Sequence, residues 1–271
     1  MSWGWREVET RVRIGTSGWV YPHWREVFYP RSLPQDRWFG WYAQAFDTVE
    51  INSTFYRLPE ESVFRRWRQE APASFCFAVK ANRYLTHLKK LKGVREPLAR
   101  FLSRARLLEP HLGPILWQLP PHWRVDLPRL EGFLALLPRD IMHVFEFRDR
   151  SWLSSSVRGL LEKSGVGFCI YVMPGIECPP WVTAGWVYLR FHGTGEAYGG
   201  RFGARRLRPW AARIQSWIRE GRRVYAYFNN DAFGYAVQDA RTLRELLRLP
   251  ERSGHRQGSD PQVDGGRAQS A

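Results

Sequence analysis

Cysteine, lysine and long apolar runs are all scarce in this chain of 271 residues. Its three cysteines, Cys76, Cys169 and Cys178, cannot complete a disulfide set, and none stands beside a second cysteine or a histidine at zinc-ligand spacing. A reducing cytoplasm is therefore expected. No apolar run approaches the ~18 residues of a membrane span, and the first residues lack a basic segment followed by an apolar core, so neither export nor membrane insertion is indicated. The chain also lacks a Walker motif and a dinucleotide-type glycine motif, which removes the common nucleotide loops.

Lysine appears only at positions 80, 89, 90, 92 and 163, so 36 of the 41 basic residues are arginine. The formal charge of +15 would attract nucleic acid, anionic metabolites or acidic partners, whereas an arginine skew of this size can equally follow from base composition. Aromatic residues make up 15% of the chain, with 14 tryptophans, and core packing accounts for most such side chains. The length suits one large α/β domain. From Glu251 onward apolar residues almost disappear, so residues 1–250 are expected to form the domain and 251–271 a disordered tail.

Eight apolar and non-alternating runs, separated by helices or equivalent crossovers, read as strands: Val12–Trp19, which ends in a glycine-rich turn, Thr48–Tyr56, Phe75–Arg83, Pro114–Pro121, His143–Asp149, Gly167–Val172, Trp186–Gly193 and Val224–Asn230. Such a pattern predicts a closed parallel (β/α)8 TIM barrel, with a doubly wound open sheet as the alternative. Only 19 residues separate Gly167 from Trp186, and Pro174, Pro179 and Pro180 fall between them, so the crossover from strand six to strand seven is expected to be short or irregular.

Active sites of this architecture lie at the carboxyl ends of the strands. Those ends carry Thr16, Ser17, Glu50, Asn52, Lys80, Asn82, Gln118, Glu146, Arg148, Arg190, His192, Asn229 and Asn230, flanked by Tyr56, Arg83 and Tyr198. Glu50, Glu146 and His192 are the candidates for acid/base or metal-assisted chemistry, and with Asp149, His87 and Asp231 nearby they offer donors to a divalent metal. Lys80, Arg83, Arg148 and Arg190, with the Thr16 and Ser17 hydroxyls, could instead hold a phosphate or another anion. In a third reading the two glutamates pair with Lys80, Arg148 or Arg190 in an ionic ring that serves the fold. Gly199 and Gly200 suggest a lid that brings Tyr198 over a ligand.

The runs Gly15-Thr-Ser-Gly-Trp19, Val49-Glu-Ile-Asn-Ser-Thr-Phe-Tyr56, Phe77-Ala-Val-Lys80 with Thr86-His87, Phe145-Glu-Phe-Arg148 with Ser151-Trp152, Tyr188-Leu-Arg-Phe-His-Gly193 and Tyr227-Phe-Asn-Asn230 together resemble the DUF72, or YecE-like, family. That resemblance spans about residues 12–249 and implies a TIM barrel of undefined activity, loosely similar to endonuclease IV-like and sugar-isomerase-like enzymes. In place of the acidic residue that the family often carries near a proline after strand six, this chain has Val172-Met173-Pro174. The expected function is binding of an anionic, phosphate-bearing or nucleic-acid ligand at the barrel mouth, with endonuclease IV-like hydrolysis as the activity that would go with it. A metal-independent isomerase or lyase on a sugar-like or carboxylate substrate, or a non-catalytic binding protein, stands as the alternative.

Overall fold

Strands that look uniformly apolar in sequence carry two different chemistries once their side chains alternate across the sheet. In the computed structural model, which describes residues 11–195 and 198–250, Val187, Leu189 and Phe191 join the large apolar layer beneath the helices. Tyr188 lies instead in the smaller cluster inside the barrel, and Arg190 and His192 continue its face of the strand. The expectation of non-alternating strands is therefore corrected. Both faces of this strand are buried, but only the outward one is made of purely apolar groups.

The strands are β1 (Val12–Thr16), β2 (Thr48–Ile51), β3 (Cys76–Lys80), β4 (Leu112–Gln118), β5 (His143–Glu146), β6 (Gly167–Val172), β7 (Trp186–Phe191) and β8 (Arg223–Phe228). All neighbouring strands pair in parallel, in the order β1-β8-β7-β6-β5-β4-β3-β2. Between β1 and β2 the sheet nearly closes, through a bridge from Ser17 to Glu50 and a 2.8 Å hydrogen bond from the Gly18 N–H to the Glu50 carbonyl. Gly15 permits this approach, since a Cβ there would stand 2.2 Å from the Thr48 carbonyl oxygen. The result is the (β/α)8 barrel that the strand pattern predicts.

Around it run α1 (Trp38–Ala45), the single turn α2 (Ser53–Tyr56), α3 (Glu61–Glu70), α4 (Arg95–Arg106), α5 (Leu127–Leu134), α6 (Ser155–Ser164), α7 (Gly203–Arg219) and α8 (Tyr235–Leu246). Helix ends follow local chemistry: the Ser154 hydroxyl accepts from the Val157 N–H at the start of α6, and Gly165 takes a left-handed conformation (φ 66°) just past its end. Residues 173–185, between β6 and β7, contain no helix, in line with the short spacing and the prolines. Trp24, Trp38, Trp117 and Trp152 are fully buried, so much of the tryptophan content is core.

The inner cluster of Ala78, Leu116, Val144, Cys169, Tyr171, Trp186, Tyr188, Tyr225 and Tyr227 plugs the lower barrel, leaving the carboxyl ends of the strands as the chemically varied end. No helix among the described residues is long and apolar enough to cross a membrane. The expected tail, 251–271, lies outside the described residues.

Candidate functional site

Strand periodicity places every second residue above the aromatic plug, and this delivers Ser17, Glu50, Lys80, Gln118, Glu146, Arg148, Arg190, His192 and Asn229 to one end of the barrel, all of them buried. Arg190 is the hub. Its Nη2 donates to Glu50 Oε1 and its Nη1 to Glu146 Oε2, each at 2.7 Å, and all three side chains are fully shielded from solvent. The remaining lone pairs of Glu50 are met by the Ser17 hydroxyl and the Tyr188 hydroxyl, both at 2.7 Å. Glu146 also accepts from Arg148 Nε and lies 3.7 Å from the Cys169 thiol.

Burial alone would raise the Glu146 carboxyl, but the Arg148 and Arg190 guanidiniums outweigh it and hold this group well below the usual carboxylate range. His192 is pushed the other way, down to about 3, because its complete burial penalises the imidazolium. Its Nε2 lies 2.9 Å from Arg148 Nη2 and 3.4 Å from Arg190 Nη1, and guanidiniums can only donate. The ring is thus neutral with its proton on Nδ1, where the Asn229 carboxamide stands 3.2 Å away; the amide serves it best with its oxygen toward the ring. A base already occupied by an arginine cannot take a proton from a substrate at neutral pH.

Two cations remain incompletely partnered. Arg148 Nη1 faces the thioether sulfur of Met173 at 2.6 Å, a weak acceptor for a guanidinium donor, while its plane lies 5.3 Å from the Tyr171 ring. Lys80 Nζ makes no hydrogen bond or ion pair to any described residue and rests 4.1 Å over the Phe55 ring of α2. Burial first, and then the positive field of Arg190, brings its pKa down to about 7. By formal charge Arg148 and Arg190 balance Glu50 and Glu146, so the mouth is neutral when Lys80 is neutral and carries one positive charge when it is protonated.

Other candidates sit differently. Thr16 points outward, with its hydroxyl oxygen 2.7 Å from the Gly18 carbonyl and 2.9 Å from the Tyr42 hydroxyl, and so cannot complete an anion cradle. Ser17 does face inward, but its proton is committed to Glu50. Asn230, one residue out of phase with Asn229, donates to the Gly200 carbonyl at 2.9 Å and to Asp239 at 2.8 Å, tying the loop after β7 to α8. Arg83 is exposed just past β3. Asn52 and Tyr56 line a neighbouring cleft of about 600 Å³ with Trp19, Tyr21 and Trp67, rather than the mouth.

Tyr198 is half-exposed at φ 65°, and its ring meets His192 edge-on at 5.5 Å, where a lid residue would stand. Sequence reasoning missed Tyr188, Phe55 and Met173; for Tyr188 the signal was available, because it lies two residues before Arg190 on the same strand.

A divalent metal does not fit these residues. Glu50 is held by Arg190 and two hydroxyls and Glu146 by Arg148 and Arg190, and no group of three or more His, Cys, Asp or Glu side chains among the described residues could surround an ion.

Comparison with known proteins agrees with the fold and is silent on chemistry. Over 138 residues the chain is 32% identical to the UPF0759 protein YecE of Escherichia coli K12, a match spanning 51% of this chain and about half (48%) of YecE. Against the UPF0759 protein YunF of Bacillus subtilis it is 23% identical, covering 88% of this chain and 95% of YunF. The crystal structure of a DUF72 family protein from Thermotoga maritima superposes with a TM-score of 0.74 at 26% identity, over 88% of this chain and 99% of that one. A DUF72 protein from Enterococcus faecalis gives 0.78 at 17% identity, over 92% of this chain and all of the other, a likeness of fold alone. The family profile "Protein of unknown function DUF72" matches residues 13–262, and the chain belongs to that family.

Proposed function

We propose that the barrel mouth binds a small anionic ligand carrying a phosphate group, held between Lys80 and Arg148. The observation that carries this reading is the unequal satisfaction of charge. Glu50 is held by Arg190 and Glu146 is shared between Arg190 and Arg148 Nε, which leaves Arg148 Nη1 with a thioether and Lys80 with only an aromatic face. A phosphate oxygen offers each of them a far stronger acceptor, and a guanidinium fork suits phosphate geometry. Tyr198 and the loop tied down by Asn230 would cover the bound group.

A small molecule is favoured over nucleic acid by where the other arginines lie. Arg65, Arg66 and Arg68 on α3, Arg95 and Arg100 on α4, and Arg205, Arg206, Arg208 and Arg213 on α7 are all exposed on the outer helices. That distribution fits a compositional skew better than a binding stripe. Metal-dependent phosphodiester cleavage has no support in the donor set, and Glu50, Glu146 and His192 act as the scaffold that positions Arg148 and Arg190.

Calorimetric titration with ribose 5-phosphate, ribose and a short single-stranded oligonucleotide tests the reading. Saturable binding of the sugar phosphate, with none of ribose, is expected. Tighter, steeply salt-dependent binding of the oligonucleotide alone would favour the nucleic-acid alternative instead.

A further inference from the structure

Lys80 stands apart from the other lysines of the chain. Lys89, Lys90, Lys92 and Lys163 are exposed, whereas Lys80 is only 8% exposed at the end of β3. A lysine buried for the sake of the fold is ordinarily paired with a carboxylate. Here the nearby carboxylates of Glu50 (β2) and Glu146 (β5) are both taken by Arg190 (β7), while Arg148 after β5 adds a further positive charge. The imidazole of His87, in the turn after β3, is held neutral at about 4 and packs edge-on against the same Phe55 ring that lies under the ammonium. Burial and the guanidiniums of Arg190 and Arg148 favour the uncharged amine and outweigh the opposing pull of Glu50 and Glu146, and a neutral primary amine in a sheltered, cation-flanked site is a nucleophile for carbonyl carbon.

From this geometry we infer that Lys80 forms an imine with a small aldehyde or ketone that bears an anionic group, the amine taking the carbonyl carbon and Arg148 the anion. The inference deepens the reading of the mouth as an anion site and rests on it only for the charged end of the substrate. In the step itself the Lys80 nitrogen lone pair attacks the carbonyl carbon and the oxygen takes up a proton, giving a carbinolamine. The C–O bond then breaks, the nitrogen gives up its remaining proton, and the oxygen departs as water carrying the two hydrogens of the amine. No oxidant or further reactant is needed. Once its nitrogen is protonated again from solvent, the resulting iminium withdraws electrons from the adjacent carbon, and this is the activation that isomerases and lyases of carbonyl compounds require.

The test is reductive trapping on the full chain at pH 7. The protein is incubated with cyanoborohydride and either glycolaldehyde or glycolaldehyde phosphate, and the modified lysines are mapped by mass spectrometry, with Lys80→Arg as the control for site assignment. Because so few lysines are present, the background is small. Lys80 is expected to be labelled roughly tenfold or more faster than Lys89, Lys90, Lys92 or Lys163, which lie open to solvent outside the sheltered mouth. The phosphorylated probe should react faster than the neutral one.

Labelling of Lys80 no faster than that of the exposed lysines, with both probes, overturns the amine inference, and leaves anion binding to be judged by its own titration. Rapid labelling of Lys80 by glycolaldehyde with no gain from the phosphate supports the amine and removes the anion reading.

Discussion

Arg190 and Glu50 come from β7 and β2, yet their side chains meet at 2.7 Å with neither exposed to solvent. A contact across the barrel axis is available only because the strands close into a barrel narrow enough for one arginine to span it. The same guanidinium holds Glu146 from β5, so one side chain ties three strands together at the mouth.

Removing that side chain should be severe. Arg190→Met leaves two buried carboxylates facing each other, and a loss of about 3–5 kcal/mol in unfolding free energy, read by chemical denaturation, is expected. Arg190→Lys should recover little, because one ammonium cannot reproduce two separate guanidinium contacts.

Glu146→Gln distinguishes a scaffold from a catalyst. With a neutral amide next to Arg148 and Arg190, stability should fall by about 3 kcal/mol, because charge-paired guanidiniums lose their acceptor. An unchanged denaturation midpoint would show that Glu146 does not serve the fold.

Much of this was legible beforehand, and the reason is specific. The carboxyl ends of the strands gather Glu50, Lys80, Glu146, Arg190 and His192 in any barrel, and the strand count and spacing pointed to a barrel. What could not be read was the phase of adjacent polar residues. Thr16 and Ser17, or Asn229 and Asn230, look equivalent in sequence, yet one of each pair faces outward because side chains alternate. The pairing pattern was also hidden, since nothing in the order of residues says that Arg190 outcompetes Lys80 for both glutamates. That outcome follows from reach and fork geometry inside the closed barrel.

Acid should destabilise the fold in a defined window. His192 is held at about 3 and His143 at about 4 by burial, both below the ordinary histidine value. As pH falls below about 6.5 the unfolded chain takes up protons that the folded chain refuses, so stability drops progressively toward pH 3–4. Glu146 adds to the loss below the ordinary carboxylate range, because its folded form stays ionised after the unfolded one has protonated. Unfolding free energy should thus decline by a few kcal/mol between pH 6.5 and 4, and a flat profile over that range would contradict the burial of neutral His192.

Met173 offers a way to close the anion site without touching it directly. In Met173→Glu a carboxylate would stand where the thioether now meets Arg148 Nη1, and should capture that donor. Affinity for a sugar phosphate is expected to fall about tenfold, equivalent to about 1.4 kcal/mol, with no loss of stability. Arg148→Gln should reduce it at least as much.

The most direct test of the account is the titration of the Lys80 ε-methylene group by NMR, with and without inorganic phosphate, which the small number of lysines makes resolvable. In the free protein Lys80 should titrate near pH 7, between the opposing fields of Glu50 and Glu146 on one side and Arg148 and Arg190 on the other. Phosphate bound beside it should move that midpoint upward by a unit or more, because an anion favours the ammonium, and phosphate affinity should correspondingly weaken as pH rises above 7. A Lys80 that titrates near 10.4, or that does not respond to phosphate, would contradict the picture of a sheltered amine poised beside an anion site.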